Sequence, residues 1–330
     1  MENKLIVSLS PHVHGGDSVE KNMYGVCIAL LPALIASFCF FGLGAVTVML
    51  TSVLACVFFE WAITKFCLKK ASTVCDVSAI LTGILLAFNM PSNIQPWIVV
   101  IGAFFAIAVV KMTFGGLGCN LFNPALAGRA FLLISFPVDM TTWPVPGQGF
   151  GTYLDAETGA TPLSIMKAAF KSGDVSMLEQ LPSFKDMLIG NTGGCLGEVC
   201  ALALIIGCIY MLVKKIITWH IPVSILLTVF VFSGLLNLAN PVYANPLAEL
   251  LSGGLLLGAI FMATDYVTSP MSAKGQIVYG VAIGALTVII RTFGAYPEGM
   301  SFAILIMNAF VPLINSKFKP TRFGEVPAKK

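Results

Sequence analysis

The sequence consists largely of apolar runs of about 20 residues, the length at which an α-helix crosses the hydrocarbon core of a bilayer. Hydrophobic residues make up 57% of the 330 residues, charged residues make up only 11%, and the mean hydropathy is +0.89. A soluble globule of this length needs more polar residues to cover its surface. The composition therefore predicts an all-α polytopic membrane protein.

The apolar runs predict about ten transmembrane helices. A short run at 125–138 follows Pro124 and is typical of the half-helices that line cavities in transporters. Residues 139–190 form the one long polar stretch, which we expect to lie outside the membrane. The full-length runs begin near Met23, Ala45, Val77, Trp97, Leu196, Val223, Leu247, Ile277 and Ser301.

The basic residues predict the orientation, because cytoplasmic loops carry an excess of Lys and Arg. With ten helices and a cytoplasmic N-terminus, most of the 19 basic residues fall on the cytoplasmic side. The exceptions are Lys167, Lys171, Lys185 and Arg291. We therefore expect both termini in the cytoplasm and the polar stretch on the external or periplasmic side of a bacterial inner membrane.

An internal repeat supports this topology. Residues 91–115 align without a gap on residues 270–294, and the Thr-Phe-Gly sequence at 113–115 recurs at 292–294. The copies are the predicted fourth and ninth helices, which cross the membrane in opposite directions, so two inverted five-helix repeats with broken helices are expected. The predicted segments are a cytoplasmic N-terminal segment 1–22, a first repeat 23–138, an external loop 139–190, a second repeat 191–315 and a cytoplasmic tail 316–330.

The polar stretch contains a sequence that could accept a modification, because residues 155–161 read Asp-Ala-Glu-Thr-Gly-Ala-Thr. Gly159 and Ala160 are small enough for a second enzyme to reach an exposed Thr161 hydroxyl, and Asp155 could orient that hydroxyl or a magnesium ion on the donor. The alternative is structural. Thr161 would then be the N-cap of a helix that has Pro162 at its first position.

This string resembles the flavinylation signal Asp-x-x-Ser/Thr-Gly-Ala-Ser/Thr, and the wider chain resembles the RnfD/NqrB family of membrane subunits. The short segment before the first helix makes the chain more similar to RnfD than to NqrB. The resemblance is carried by segments spread over nearly the whole chain, which are Ser10-Pro11-His12, Ala29-Leu30-Leu31-Pro32, residues 115–125, Phe261-Met262-Ala263-Thr264-Asp265 and Val267-Thr268-Ser269-Pro270.

The resemblance implies an electron-transfer subunit of a redox-driven translocase that couples ferredoxin and NAD chemistry to the movement of Na⁺ or H⁺. A flavin transferase would attach FMN to Thr161 through a phosphoester, with Asp155, Thr158, Gly159 and Ala160 as the motif. The implied partners are the other Rnf subunits. The chain has no iron–sulfur or dinucleotide-binding motif, so it is not catalytically complete alone.

The resemblance also implies a second flavin. A noncovalent riboflavin is associated in the NqrB relatives with the glycine-rich segment, which here contains Gly115, Gly116 and Gly118. Asn120 and Asn123 offer donors and acceptors that match the edge of an isoalloxazine ring. The alternative is a tight interhelical turn capped by asparagine.

The ring of the covalent FMN is expected at the break that follows the second copy of the repeat. Arg291, Thr292 and Phe293 would contact it on the external side. If the repeat is real, the two flavin sites are pseudo-symmetric counterparts on opposite faces of the membrane.

Ionisable residues inside the apolar runs are functional candidates because they are costly in a bilayer. Asp265, beside Thr264, could bind a coupling cation, contact the inner flavin or lie hydrated at the interface. Arg129 could meet a ligand phosphate, pair with Asp265 or extend to the membrane surface. Glu60 and Glu198 could relay protons or accept buried hydrogen bonds.

Two rival functions remain open from the sequence. Inverted five-helix repeats with broken helices also describe solute channels such as the urea transporters, which carry no flavin. A structural anchor that only holds redox partners would leave Thr161 dispensable. No metal site is predicted, because the cysteines are scattered and His12 and His14 have no evident third ligand. No basic patch interleaved with aromatics suggests nucleic-acid binding.

Overall fold

The described part of the chain is helical and contains no β-strand, only an isolated bridge between Pro144 and Thr158. The prediction of an all-α polytopic membrane protein is confirmed, whereas the count of ten spans and the inverted repeat stay predictions. His12, His14 and the Ser10-Pro11-His12 segment lie outside the described residues. The computed structural model describes residues 18–69, 76–151, 153–296 and 298–319.

Several helices are long and apolar enough to cross a bilayer, and shorter apolar helices accompany them. Turns of π-helix extend α1 to Cys67, α3 to Met112 and α11 to Met262. The described helices are α1 Val19–Ala62, α2 Ser78–Phe88, α3 Pro96–Phe104, α4 Pro124–Ser135, α5 Pro137–Thr141, α6 Pro162–Ser172, α7 Phe184–Ile189, α8 Ala201–Val213, α9 His220–Ala239, α10 Pro246–Leu251, α11 Leu255–Leu257, α12 Ala273–Phe293 and α13 Met300–Lys317.

Helix α1 is broken near its middle. It has 44 residues, and a straight helix of that length would measure about 66 Å, twice the hydrocarbon core. Gly42 breaks it with φ 55° and ψ −130°. A Cβ at Gly42 would lie 2.7 Å from the carbonyl oxygen of Phe150, so only glycine fits. The two arms match the runs that the sequence places from Met23 and Ala45.

Some predicted full-length runs form shorter helices, which corrects the sequence-based bounds. The run from Val77 gives 11 helical residues, the run from Leu196 gives 13 after a nonhelical start, and the run from Leu247 ends at Leu251. The irregular backbone after α2 pairs with that before α8. Leu196 N donates to Met90 O over 3.1 Å, and Gly197 N donates to Phe88 O over 2.9 Å. Nonhelical backbone is tolerated at membrane depth when the protein itself satisfies it.

Small residues let α9 and α12 approach each other closely. A Cβ at Gly280 would lie 2.9 Å from the Cβ of Ser224, and one at Gly284 would lie 2.8 Å from the Cβ of Thr228. Gly280 and Gly284 are four residues apart and therefore share one face of α12. Such small-residue faces are typical of packed transmembrane helices, because lipid supplies no hydrophobic drive for their association.

The polar stretch 139–190 is a folded layer rather than an open loop. It contains α5, α6 and α7. Lys167 on α6 donates to the carbonyl oxygens of Gly294 and Ala295 at the end of α12, over 2.7 and 2.9 Å. Partial burial lowers the pKa of Lys167, and the charge of Lys171 lowers it further. A small apolar core joins the layer to α10 and comprises Leu163, Met166, Met187, Ala244 and Ala248.

Replacing Gly42 by alanine should destabilise the protein by about 3 kcal/mol, because the positive φ and the contact with Phe150 both oppose a Cβ. Gly234→Ala is the matched control, since its Cβ would meet only Pro246 at 3.5 Å inside α9. That change should be neutral or stabilising by up to about 1 kcal/mol. Unfolding in sodium dodecyl sulfate, followed by circular dichroism, measures both. Equal stability of the two variants would contradict the assigned break.

Candidate functional site

A cavity of about 360 Å³ lies between the start of α1, helix α2 and the turn after α3. We call it the Asn120 cavity. It brings together predicted residues that are remote in sequence, since Gly118, Asn120 and Asn123 line it together with Thr264 and Asp265. Its wall is mostly apolar, and its size falls in the range of about 300 to 1,000 Å³ that is usual for small-molecule sites.

The glycines of this segment shape the turn. Gly115, Gly116 and Gly118 have φ values of 122°, 95° and 88°, which only glycine adopts without strain. Of these three, Gly118 lines the cavity, and no heavy atom lies within 4 Å of where its Cβ would be. The backbone at Gly118 is therefore open to a ligand, while Gly115 and Gly116 set the path of the chain.

Asn123 lines the cavity but its amide group is already engaged. Its Oδ1 accepts from Ala125 N over 3.1 Å and from Leu126 N over 3.3 Å, and so caps α4. Its Nδ2 donates to Met262 O over 3.2 Å. Of the two interpretations, the capped interhelical turn is the one that the structure supports for Asn123, with an added tie to the end of the α11 extension.

Asn120 and Asp265 form the polar side of the Asn120 cavity. Asn120 donates to Phe122 O over 3.1 Å, and its side chain also hydrogen-bonds the Asp265 carboxylate. Thr268 donates its hydroxyl to Asp265 over 3.1 Å. Thr264 bonds back to Ile260 O over 2.7 Å. The predicted pairing of Asp265 with Arg129 is wrong, because the neighbours of Asp265 are neutral side chains of the turn.

Lys111 is a lining residue that sequence reasoning left at the membrane surface. It is 3% exposed, and its Nζ donates to Glu60 Oε2 over 2.5 Å and to Ser78 Oγ over 2.7 Å. The bond to Ser78 joins the extension of α3 to the first residue of α2. The available signal was the position of Lys111 within an apolar run that also contains no acidic residue to pair with it.

Thr161 is the N-cap of α6, and its Oγ1 accepts from Ser164 N over 3.2 Å. Pro162 occupies the first helical position. Thr161 is only 7% exposed, so the expectation of an exposed hydroxyl is wrong. The other motif residues, Asp155, Thr158, Gly159 and Ala160, are exposed.

The part of the motif that precedes Thr161 is held by an antiparallel pairing. Val145 N donates to Glu157 O, and Gly159 N donates to Trp143 O, each over 2.9 Å. Gln148 adds a second pair of bonds, since its side chain both donates to and accepts from the Glu157 backbone. The motif is therefore fixed in space and not a mobile tail.

A second cavity, of about 20 Å³, lies beside the Thr161 side chain. We call it the Thr161 cavity. Its wall combines the start of α6, the glycines of the segment before α8, the break after α10 and the loop before α13. The residues that line it are Thr161, Pro162, Leu163, Thr192, Gly193, Gly194, Glu198, Val199, Leu251, Ser252, Gly253 and Glu298.

Arg129 lies in a buried charge cluster next to the Thr161 cavity. Its guanidinium contacts the Glu298 carboxylate directly, and Glu198 Oε1 is 3.8 Å from its Nη1. Its other bonds run to Asn89 over 2.7 Å and to Ser301 over 3.0 Å. Arg129 is 3% exposed, so the predicted extension to the membrane surface is wrong. Sequence reasoning missed Glu298 because it lies in a loop rather than in an apolar run.

Arg291 closes the break that follows α10. Its Nη1 donates to Glu249 Oε2 and to Glu249 O over 2.8 Å, and its Nη2 donates to Ser252 O over 2.9 Å. Arg291 and Thr292 also line a shallow pocket against α6, while Phe293 is 63% exposed. The structure therefore brings Arg291 and Thr292 close to the helix capped by Thr161, as expected, but the guanidinium is committed to Glu249.

Together these features define a polytopic membrane protein in which broken helices enclose an apolar cavity and a buried charge cluster. Its sequence matches the NQR2, RnfD, RnfE family over residues 6–324, and the chain belongs to that family. This confirms the resemblance inferred from the motifs.

Named relatives cover the full length of the chain, and each is the RnfD-type component of its complex. The relative from the Na(+)-translocating ferredoxin:NAD(+) oxidoreductase complex of Acetobacterium woodii is 46% identical, over 100% of this chain and 98% of the relative. The one from the proton-translocating ferredoxin:NAD(+) oxidoreductase complex of Clostridium ljungdahlii is 42% identical, over 98% and 97%. The one from the ion-translocating oxidoreductase complex of Escherichia coli O7:K1 is 35% identical, over 96% and 98%.

Arg291→Met should lower the free energy of unfolding by about 3 to 5 kcal/mol, because it leaves the Glu249 carboxylate without its cation. The carbonyl oxygen of Ser252 would lose its donor as well. Lys171→Met, at an exposed position of α6, is the control and should change stability by less than about 0.5 kcal/mol. Detergent unfolding measures both, and equal values would show that Arg291 does not hold the break.

Proposed function

We propose that this chain is the RnfD component of an Rnf-type complex and carries an electron-transferring FMN on Thr161. The complex couples ferredoxin and NAD redox chemistry to the translocation of Na⁺ or H⁺ across the bacterial inner membrane. The full-length similarity to components of two ferredoxin:NAD(+) oxidoreductase complexes supports this proposal. The chain works with the other subunits of the complex, since its own sequence contains no ferredoxin or dinucleotide site.

The position of Thr161 is the observation that carries the flavin assignment. Thr161 caps the N-terminus of the 11-residue helix α6, where unpaired backbone N–H groups and the helix dipole favour an anion. A phosphoester on Thr161 carries one negative charge and therefore suits this position. The residues present thus fit the phosphate end of FMN.

The isoalloxazine ring lies outside the Thr161 cavity, because about 20 Å³ holds no more than a single water-sized group. Attachment by the flavin transferase requires the Gly193–Gly194 segment to move away from the 7% exposed hydroxyl. When bound, FMN supplies a carrier that accepts and passes on electrons. The chain fixes the attachment point, since Lys167 ties α6 to the end of α12.

A noncovalent riboflavin in the Asn120 cavity is the second part of the proposal. The volume of about 360 Å³ suits a small aromatic ligand. Gly118 leaves the backbone accessible, and Asn120 and Asp265 offer polar groups on one side of an apolar wall. Asn123 positions the turn rather than the ring, because its amide is used within the protein.

We also propose that the chain is built from two inverted repeats. Helices α3, with its extension, and α12 overlap the aligned copies, and each is followed by a further helix, α4 or α13. Each copy ends near a buried basic residue paired with a carboxylate, Lys111 with Glu60 and Arg291 with Glu249. This arrangement supports two related sites on opposite sides of the membrane.

Flavin attachment predicts in-gel fluorescence. After coexpression with the flavin transferase and denaturing electrophoresis, wild type and Thr161→Ser should fluoresce, whereas Thr161→Ala should lose the signal. The serine variant also keeps the N-cap, which is worth about 1 kcal/mol. Thr141→Ala, at an exposed threonine outside the motif, controls for nonspecific loss and should fluoresce as wild type does.

The same gel separates the proposal from its rivals. Equal fluorescence of the wild type and Thr161→Ala would refute the attachment site. A colourless wild type would favour the flavin-free channel, and a fluorescent protein whose Thr161→Ala variant sustains full complex activity would favour the structural anchor.

The topology predicts that a cysteine at Ser172 reacts from outside intact cells. Ser172 is exposed at the end of α6, and the background replaces the exposed Cys39, Cys67 and Cys119 by serine. A membrane-impermeant maleimide should label Ser172→Cys without permeabilisation. A protein that keeps Cys67 alone of these three, at the predicted cytoplasmic end of α1, should label only after permeabilisation. The reverse pattern would invert the proposed orientation.

A further inference from the structure

We infer that the Thr161 cavity binds one monovalent cation, a sodium ion or a proton, between the carboxylates of Glu198 and Glu298. This inference deepens the proposed function, because it rests on that function for its role and assigns a place to the translocated ion. Its physical basis is independent of flavin and lies in the charge, the size and the donor atoms of the cavity.

The charge of the cluster is unbalanced. Arg129 contributes one positive charge, while Glu198 and Glu298 contribute two carboxylates, and the three side chains are 4%, 5% and 13% exposed. A buried carboxylate without a compensating charge is strongly unfavourable in a low-dielectric interior. One further positive charge neutralises the cluster, whereas a divalent ion would leave it with an excess of the opposite sign.

Glu198 supplies an observation that is separate from the count of charges. Its Oε1 accepts no hydrogen bond from any described residue although it is buried. Arg129 Nη1, at 3.8 Å, attracts it electrostatically but is too far to donate. Glu198 also lines the Thr161 cavity, so an acceptor that the protein leaves unsatisfied borders an enclosed space.

The size and the lining of the cavity select the occupant. A volume of about 20 Å³ admits one water-sized particle. The polar side chains around it offer oxygen atoms, from Thr161, Ser252, Glu198 and Glu298. Oxygen donors suit hard cations, and the carboxylates repel anions. A phosphate, a quinone or a flavin ring is excluded by volume.

The other charged and titratable groups around the cluster do not neutralise it. The Cys195 thiol lies 3.5 Å from Arg129 Nη2 and 3.8 Å from Glu298 Oε1. Cys195, Glu198 and Glu298 could offer ligands to a metal, but the Arg129 guanidinium already contacts Glu298 and disfavours a multiply charged ion there. Beyond Gly253, Arg291 is paired with Glu249.

The location gives the site its meaning for the proposed function. Thr161 lines the cavity with the two carboxylates, so a phosphoester on its hydroxyl adds one more negative charge to the same neighbourhood. The attraction for a cation therefore increases once the chain is flavinylated.

The test uses the full chain in lipid nanodiscs, expressed without the flavin transferase. Its Tm in sodium chloride is compared with its Tm in choline chloride at equal ionic strength. Sodium binding should raise the Tm by about 5 °C when sodium is present at roughly a hundred times its Kd. Glu198→Gln should abolish this difference, and Glu179→Gln, at an exposed acid of the external layer, should retain it.

The dependence of Tm on pH distinguishes the two sources of charge. If the site takes a proton, the wild type shows no sodium effect and loses stability as the pH rises through the titration of the cluster, because the proton stabilises the folded state. Glu198→Gln should remove that loss. A glutamine variant that matches wild type in both the sodium response and the pH response would overturn the inference.

Two further variants keep the test decisive. If Glu198→Gln does not fold, Glu198→Asp retains the charge but withdraws the carboxylate from the cavity, and it should weaken the sodium or proton effect at least tenfold in apparent affinity. An unchanged affinity would overturn the inference. A sodium effect that disappears in Asp265→Asn but persists in Glu198→Gln would place the ion in the Asn120 cavity and also overturn it. None of these outcomes depends on flavin fluorescence, which tests the proposed function separately.

Discussion

The structure depends on one constraint, that a polar group inside a bilayer must find its partner within the protein. Among the described residues, the buried basic side chains Lys111, Arg129 and Arg291 each contact a carboxylate. Each also joins segments at a helix end or a break. Lys111 ties α1 to α2 through Ser78, and Arg291 holds the nonhelical backbone at Ser252. The charges are therefore the means by which broken helices are stabilised in an apolar interior.

Much of the fold could be predicted, because apolar runs and glycines act locally. The two runs from Met23 and Ala45 meet at Gly42, whose positive φ breaks α1. The short α2 could not be predicted in the same way. Its irregular end is stabilised by bonds between residues 88–90 and 196–197, and a pairing over more than a hundred residues leaves no trace in local composition.

The candidate site divides along the same line. The sequence identified Thr161, Asn120 and Asp265 because their motifs are short and local. It left open whether Thr161 is a helix cap or a modification site, and the structure shows the cap. Its burial could not be foreseen, because the covering wall comes from residues 192–199 and from Glu298, far along the chain. The partner of Arg129 was mistaken for the same reason, since proximity in three dimensions decides between Asp265 and Glu298.

The two roles of Thr161 are compatible, and their combination has a consequence. A cap that carries a phosphoester brings negative charge to the wall of a cavity that already contains two carboxylates. Any charge added beside this cavity raises its affinity for a cation, because the interior screens charges weakly. Linkage is reciprocal, so a bound cation makes the addition of negative charge equally more favourable. Electron arrival at a flavin near Thr161 and cation uptake at Glu198 would then favour each other through electrostatics alone, without a conformational relay between distant sites.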